Sequence, residues 1–231
     1  MFDETHWSVV FEAARTQSPG SASALAQLLQ GYWRPLYVYA RQRGCDHHDA
    51  QDAIQGFFLS VLENRALGRA DPGRGRFRTF LLTALNNYLA NEHRRATRQK
   101  RGGEFQFVPM DDGDEFEISA ATEPPETEFD RQWAKALLER ALQSTEKHYA
   151  ARGKGALFGG LRKFLTGAAD KLGYHAASAQ LGISEASAKV EVHRLRAQFR
   201  ENLRQEVAGT VTEPGEIDDE LLYLRRLLTA V

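Results

Sequence analysis

The chain has 231 residues, 42% hydrophobic and 26% charged, which suffices for one or two modest buried cores. Thirty Lys and Arg stand against 31 Asp and Glu, a formal net charge of −1, so any nucleic-acid signal has to come from local segregation of charge. The lone Cys45 excludes an intramolecular disulfide framework and suits a reducing compartment. No run of about 18 apolar residues exists to cross a membrane.

The N-terminal segment MFDETHWSVV is acidic and aromatic and lacks a basic leader region, so the expectation is a soluble, cytoplasmic protein without membrane insertion. Apolar residues recur three or four apart over 23–30, 33–43, 49–63 and 77–98, which predicts a series of amphipathic helices. Pro35 sits early enough in its segment to occupy a first turn. Charge segregates along this half. Between residues 69 and 101 there are nine Lys and Arg against Asp71 and Glu92, a local net of +7.

The next segment reverses sign. Residues 104–130 hold ten carboxylates and no Lys or Arg, with Pro109, Pro124 and Pro125 and little periodicity, and read as a solvated tether. Only 105–110 is a candidate for a short strand. Helical spacing resumes over 129–151 and 157–165. A second acidic run, 213–220, leads into a short apolar helix over 221–228. The expected fold class is all-α: a helical domain over 1–102, an acidic flexible linker over 103–128, and a second helical domain over 129–231.

Within that second domain, YHAASAQLGISEASAKVEVHRLRAQFR, residues 174–200, reads as a helix, a tight turn and a basic helix. Small Ala177 and Ser178 allow close helix approach, Gly182 suits the φ > 0 position that ends a helix, and Ser184 is placed to cap the next one. Ala188, Val192, Leu195 and Phe199 fall on one stripe, which predicts the buried face. Lys189, His193, Arg196 and Arg200 flank it. This is the sequence form of a helix-turn-helix, whose second helix enters the major groove.

The stretch LLQGYWRPLYVYARQRGCDHHDAQDAIQGFF, residues 28–58, is followed by RGRFRTFLLTALNNYLANEHRRATRQKR at 74–101. The pair resembles region 2 of bacterial RNA polymerase sigma factors of the extracytoplasmic-function group. The first part is similar to its regions 2.1 and 2.2, the second to 2.3 and 2.4, and the helix-turn-helix takes the place of region 4.

The resemblance implies core RNA polymerase and promoter DNA as partners. It implies core binding through Asp49, Asp52 and Gln55, and reading of unpaired −10 bases by Asn87 and Asn91 with Arg94, Arg95 and Arg98 on phosphates. In the region 4 position it implies reading of the −35 element, with Glu185, Ala186, Ser187, Lys189 and Val190 toward base edges and His193, Arg194 and Arg196 toward phosphates. It also allows an anti-sigma factor or another regulator as a further partner. This chain departs from the family pattern at Ala53, Gly56, Ala188 and Glu191. Two other readings stand beside it: a helix-turn-helix regulator acting without polymerase, and a sigma-like interaction adaptor.

Other constellations carry less. Cys45, His47, His48 and Asp49 bring metal-ligand types together at a helix entrance, where Asp and His are ordinary. DPGRGRF at 71–77 and RGKGALFGG at 152–160 do not fit the phosphate-loop pattern and read as turns. No nucleophile, base and orienting acid combine, so neither catalysis nor a cofactor is expected.

Overall fold

The structure, a computed structural model, describes residues 9–10, 19–63, 76–100, 124–165 and 171–229. All regular elements among them are helical. The candidate strand at 105–110 and most of the acidic linker lie outside the described residues. The chain divides into two units, residues 1–134 with 209–231, and residues 135–208.

In the first unit, α1 (Pro19–Gln30), α2 (Trp33–Gln42), α3 (His47–Glu63) and α4 (Phe77–Lys100) follow one another. Gly44, with φ of 95°, turns the chain between α2 and α3, and Asp46 then caps α3 by accepting from the Asp49 N–H at 2.7 Å. Leu25, Leu29, Leu36, Ala40, Ile54, Phe57, Leu81 and Leu85 are buried at helical spacing and make the core. Tyr32 meets Phe77 edge-on at 5.6 Å.

Helix α5 spans Pro125–Ala150, and the boundary between the units falls within it. It begins inside the stretch expected as linker. Pro125 at a first helical position, with Glu126 and Glu128 in the first turn, makes this a favourable helix start.

In the second unit, α6 (Gly155–Leu161) runs into a 3₁₀ turn (Arg162–Phe164) and is followed by α7 (Lys171–Leu181) and α8 (Glu185–Ala208). Tyr149, Phe158, Leu161, Phe164, Ala177, Val192 and Leu195 form its core. A buried polar ladder adds to it: Asn202 donates to the Thr145 hydroxyl at 2.9 Å, and Thr145 donates to the Ala141 carbonyl at 2.7 Å.

The last helix, α9 (Ile217–Thr229), groups with the first unit rather than with residues 135–208, which differs from the expected division at 129–231. Its start is earlier than the apolar run suggested, because Asp218, Asp219 and Glu220 form its first turn, where carboxylates favour the helix dipole. The reason for its placement is a buried charge network. Glu220 is fully buried and accepts from Arg78 Nη1 at 2.5 Å, while Arg76 Nη2 lies 2.7 Å from its other oxygen, close enough to pair though not aligned as a hydrogen bond. Arg78 also donates from Nε to Asp130 at 3.1 Å and stacks over Trp133 at 4.1 Å. Tyr223 donates to the second Asp130 oxygen. Ile217, Leu224 and Leu227 are buried beside this network.

Candidate functional site

In the first unit, α3 turns Ala50, Ile54, Phe57 and Val61 inward. Asp49, Asp52 and Gln55 are exposed, and at i, i+3 and i+6 they share one face. Leu59 and Leu62 prolong that face and are 57% and 41% exposed. Leu62 does not join the core although it is apolar. The actual core positions are Ala50, Ile54, Phe57 and Val61, and Leu62 falls about 100° from Val61 around the helix. Leu59 was missed by the sequence reading, although its i+4 spacing from Gln55 marks it for the outer face.

Gly56 does not extend the polar strip. The Tyr88 ring of α4 crosses it so closely that a Cβ would collide with the phenolic oxygen. A glycine there allows the backbone of α3 to approach the tyrosine, at a cost in helix propensity of about 1 kcal/mol relative to Ala.

Along α4, Asn87, Asn91 and Arg94 are exposed and lie at i, i+4 and i+7 on one strip. The side chains of Arg95 and Arg98 lie outside the described residues. Asn86, next to Asn87 in the chain, turns inward and accepts from the Tyr39 hydroxyl at 2.9 Å. Burial pushes the Tyr39 phenol above its ordinary value, and the Asn86 contact acts in the other direction. The strip on α4 offers amides for base edges and a cation for phosphate. The strip on α3 offers two carboxylates, an amide and an apolar end for a partner surface.

Among the described residues, no three His, Cys, Asp or Glu side chains converge on a common point. The His47–Asp49 entrance is occupied by local bonds: His47 Nδ1 lies 2.7 Å from the Tyr37 hydroxyl, and Asp46 caps the helix.

In the second unit, Gly182 (φ 65°) turns the chain from α7 to α8, and the Ile183 N–H closes the end of α7 on the Ser178 carbonyl at 3.1 Å. Ser184 Oγ then accepts the Ser187 N–H at 3.1 Å and caps α8. Ala188, Val192 and Leu195 are buried, and Phe199 is half-buried. Glu185, Ala186, Ser187, Lys189, Val190 and His193 are all exposed, with Val190 at 50% a bare apolar side chain on the outer face.

Four of the side chains named for this helix have internal partners, Ser187 among them, with its hydroxyl 2.9 Å from that of Ser184. Glu185 pairs with His175 Nδ1 at 2.9 Å, and Arg194 donates to Glu191 at 2.7 Å. Arg196 directs Nε and Nη2 onto the Phe164 carbonyl at 3.0 and 2.7 Å, which satisfies the end of the 3₁₀ turn and turns its guanidinium away from the outer face. Lys189 lies 5.7 Å from the Tyr174 ring centre.

The first unit is thus a helical domain with a partner-type strip and an amide and arginine strip on neighbouring helices, and its motifs fall inside one known domain. Residues 28–99, from the end of α1 through α4, match the family model of Sigma-70 region 2, and the match supports a sigma-70 family member. It covers less than half of the chain. No curated protein and no solved structure matches the chain. No helix among the described residues is long and apolar enough to cross a membrane.

Proposed function

We propose that this chain is a sigma factor of the extracytoplasmic-function group, which binds core RNA polymerase in the cytoplasm and directs initiation at promoters recognised at two points. The observation that carries the reading is the region 2 match over 28–99 together with two exposed strips inside it, Asp49, Asp52 and Gln55 on α3 and Asn87, Asn91 and Arg94 on α4. The α3 strip, with Leu59 and Leu62 as its apolar end, is the core-binding surface. The α4 strip takes unpaired −10 bases with its amides and the phosphate chain with Arg94, continued by Arg95 and Arg98.

Helices α7 and α8 act as a helix-turn-helix for the −35 element. A recognition helix places its N-terminal residues at base edges, and Ala186 and Val190 are the side chains suited to thymine methyl groups. Lys189 and His193 supply polar contacts beside them. Arg196, held on the Phe164 carbonyl, positions α8 against the turn before it. No catalytic group is assigned, and regulation by an anti-sigma factor is compatible with the reading.

Run-off transcription with purified core polymerase tests it. A promoter-dependent transcript that is lost when Asp52 and Gln55 are replaced is the expected result. Duplex binding without a transcript would favour a regulator acting alone, and neither activity would favour an adaptor.

A further inference from the structure

Resting on the reading of α8 as a DNA-recognition helix, we propose that a basic cleft on one flank of that helix is a second contact site for DNA, taking a backbone phosphate of the duplex. The cleft has a volume of about 180 Å³ and is lined by His148, Arg152, Lys154, Glu191, Arg194 and Gln198. Arg152 and Lys154 come from the RGK turn between α5 and α6, where Gly153 has φ of 67° and reverses the chain so that both side chains face α8.

The charge in the cleft favours an anion. Three permanent cations surround one carboxylate. Glu191 is 14% exposed and holds Arg194 at 2.7 Å, but it reaches Lys154 only at 3.7 Å. Arg152 forms no ion pair among the described residues. Glu191 cannot neutralise all three: Arg194 and Lys154 share its one oxygen Oε1, which leaves the cleft with an excess of positive charge.

The helix places this opening correctly for DNA. Glu191, Arg194 and Gln198 occupy i, i+3 and i+7 and form one flank of α8, next to the outer strip of Ala186, Val190 and His193. An α-helix is about 10–12 Å across and the major groove about 12 Å wide, so a helix seated in the groove has a row of phosphates close to each flank. Lys189 serves the opposite flank. The cleft serves this one, with the three cations as point and fork donors to a phosphodiester oxygen.

The test uses the full chain and a short mixed-sequence duplex, with affinity measured across a salt titration. The double variant Arg152→Gln, Lys154→Gln is expected to lower the slope of log affinity against log salt by about 1 to 2, one step per lost phosphate contact, with a similar loss on every sequence. Glu191→Gln, which removes the carboxylate a phosphate must approach, is expected to tighten binding several-fold. Circular dichroism confirms that each variant remains helical. An unchanged slope in both variants, while Lys189→Gln weakens binding, overturns the cleft and leaves the recognition helix standing. A wild-type chain that binds no duplex at low salt overturns the recognition helix, and the cleft with it. Inorganic phosphate that shifts the His148 ring resonances, combined with unaltered duplex affinity in the double variant, would reassign the cleft to a free anion.

Discussion

Two charge clusters in this chain use the same residue types to opposite ends. In the first unit, Arg78 and Glu220 are 4% and 0% exposed, and their pair is surrounded by Asp130, Trp133 and Tyr223. In the second unit, Arg194 and Glu191 also form a close contact, at 2.7 Å, yet Arg194 is 62% exposed at the rim of a cleft. A buried pair has given up its hydration and depends on every partner being present; an exposed pair retains water as an alternative and can exchange partners. The first cluster therefore holds the fold, and the second is available for a ligand.

The largest expected effect breaks the buried cluster. Arg78→Met strands Glu220 with only the partly exposed Arg76, and should destabilise the first unit by about 3–5 kcal/mol. Replacing Glu220 by Leu in the same chain removes the stranded charge and should recover much of that loss. Urea unfolding followed by tryptophan emission measures this, since Trp33 and Trp133 belong to the first unit and no tryptophan lies in 135–208. A single variant as stable as the wild type would mean that the network carries no weight in the fold.

The same cluster makes a pH prediction. Burial, followed by its hydrogen bond to Asp130, pushes the Tyr223 phenol up to about 12 from the ordinary 10. A phenol whose value is raised on folding binds its proton more tightly in the native state. Its contribution is complete below pH 10 and is lost as pH rises through about 12. An ultraviolet titration should therefore show a tyrosine that ionises near pH 12, and Asp130→Asn should move it back toward the ordinary range. A Tyr223 that titrates at the ordinary value of 10 would remove the buried hydrogen bond from the comparison.

Much of this arrangement was legible in the chain because it repeats locally. The turn from α7 to α8 was readable from Gly182 and Ser184, and the buried face of α8 from the spacing of Ala188, Val192 and Leu195. The outward direction of Asp49, Asp52 and Gln55 followed from helical period alone. What escaped were pairs joined over long separations, which leave no periodic trace. Glu220 looked like one more acid of a solvated run, yet its partner stands 142 residues away. Asn86 is paired with Tyr39, 47 residues before it, which turns it inward. Arg196 has helical spacing suited to a basic stripe, but the Phe164 carbonyl holds it.

Gly56 belongs to the same group and makes a smaller, sharper prediction. Ala is favoured over Gly in a helix by about 1 kcal/mol, but its Cβ would collide with Tyr88. Gly56→Ala should therefore yield none of that gain in the wild-type chain and should become stabilising when Tyr88 is Phe. A double-mutant cycle should give a coupling of about 1 kcal/mol, and additivity would remove the tyrosine as the reason for the glycine.

The smallest effect on stability should come from the exposed cluster, and it completes the contrast. Arg194→Ala removes a solvent-facing partner of Glu191, three residues along the same helix, which is worth no more than about 0.5 kcal/mol. Ala also favours the helix slightly, so urea unfolding of residues 135–208, followed by hydrogen exchange, should barely change. Duplex affinity should nevertheless fall, because the arginine stands at the mouth of the cleft rather than inside a core. A substitution that weakens DNA binding while leaving the unit intact separates charge kept for a partner from charge spent on the fold. Equal losses in both measurements would place Arg194 with Arg78 and erase the distinction between the two clusters.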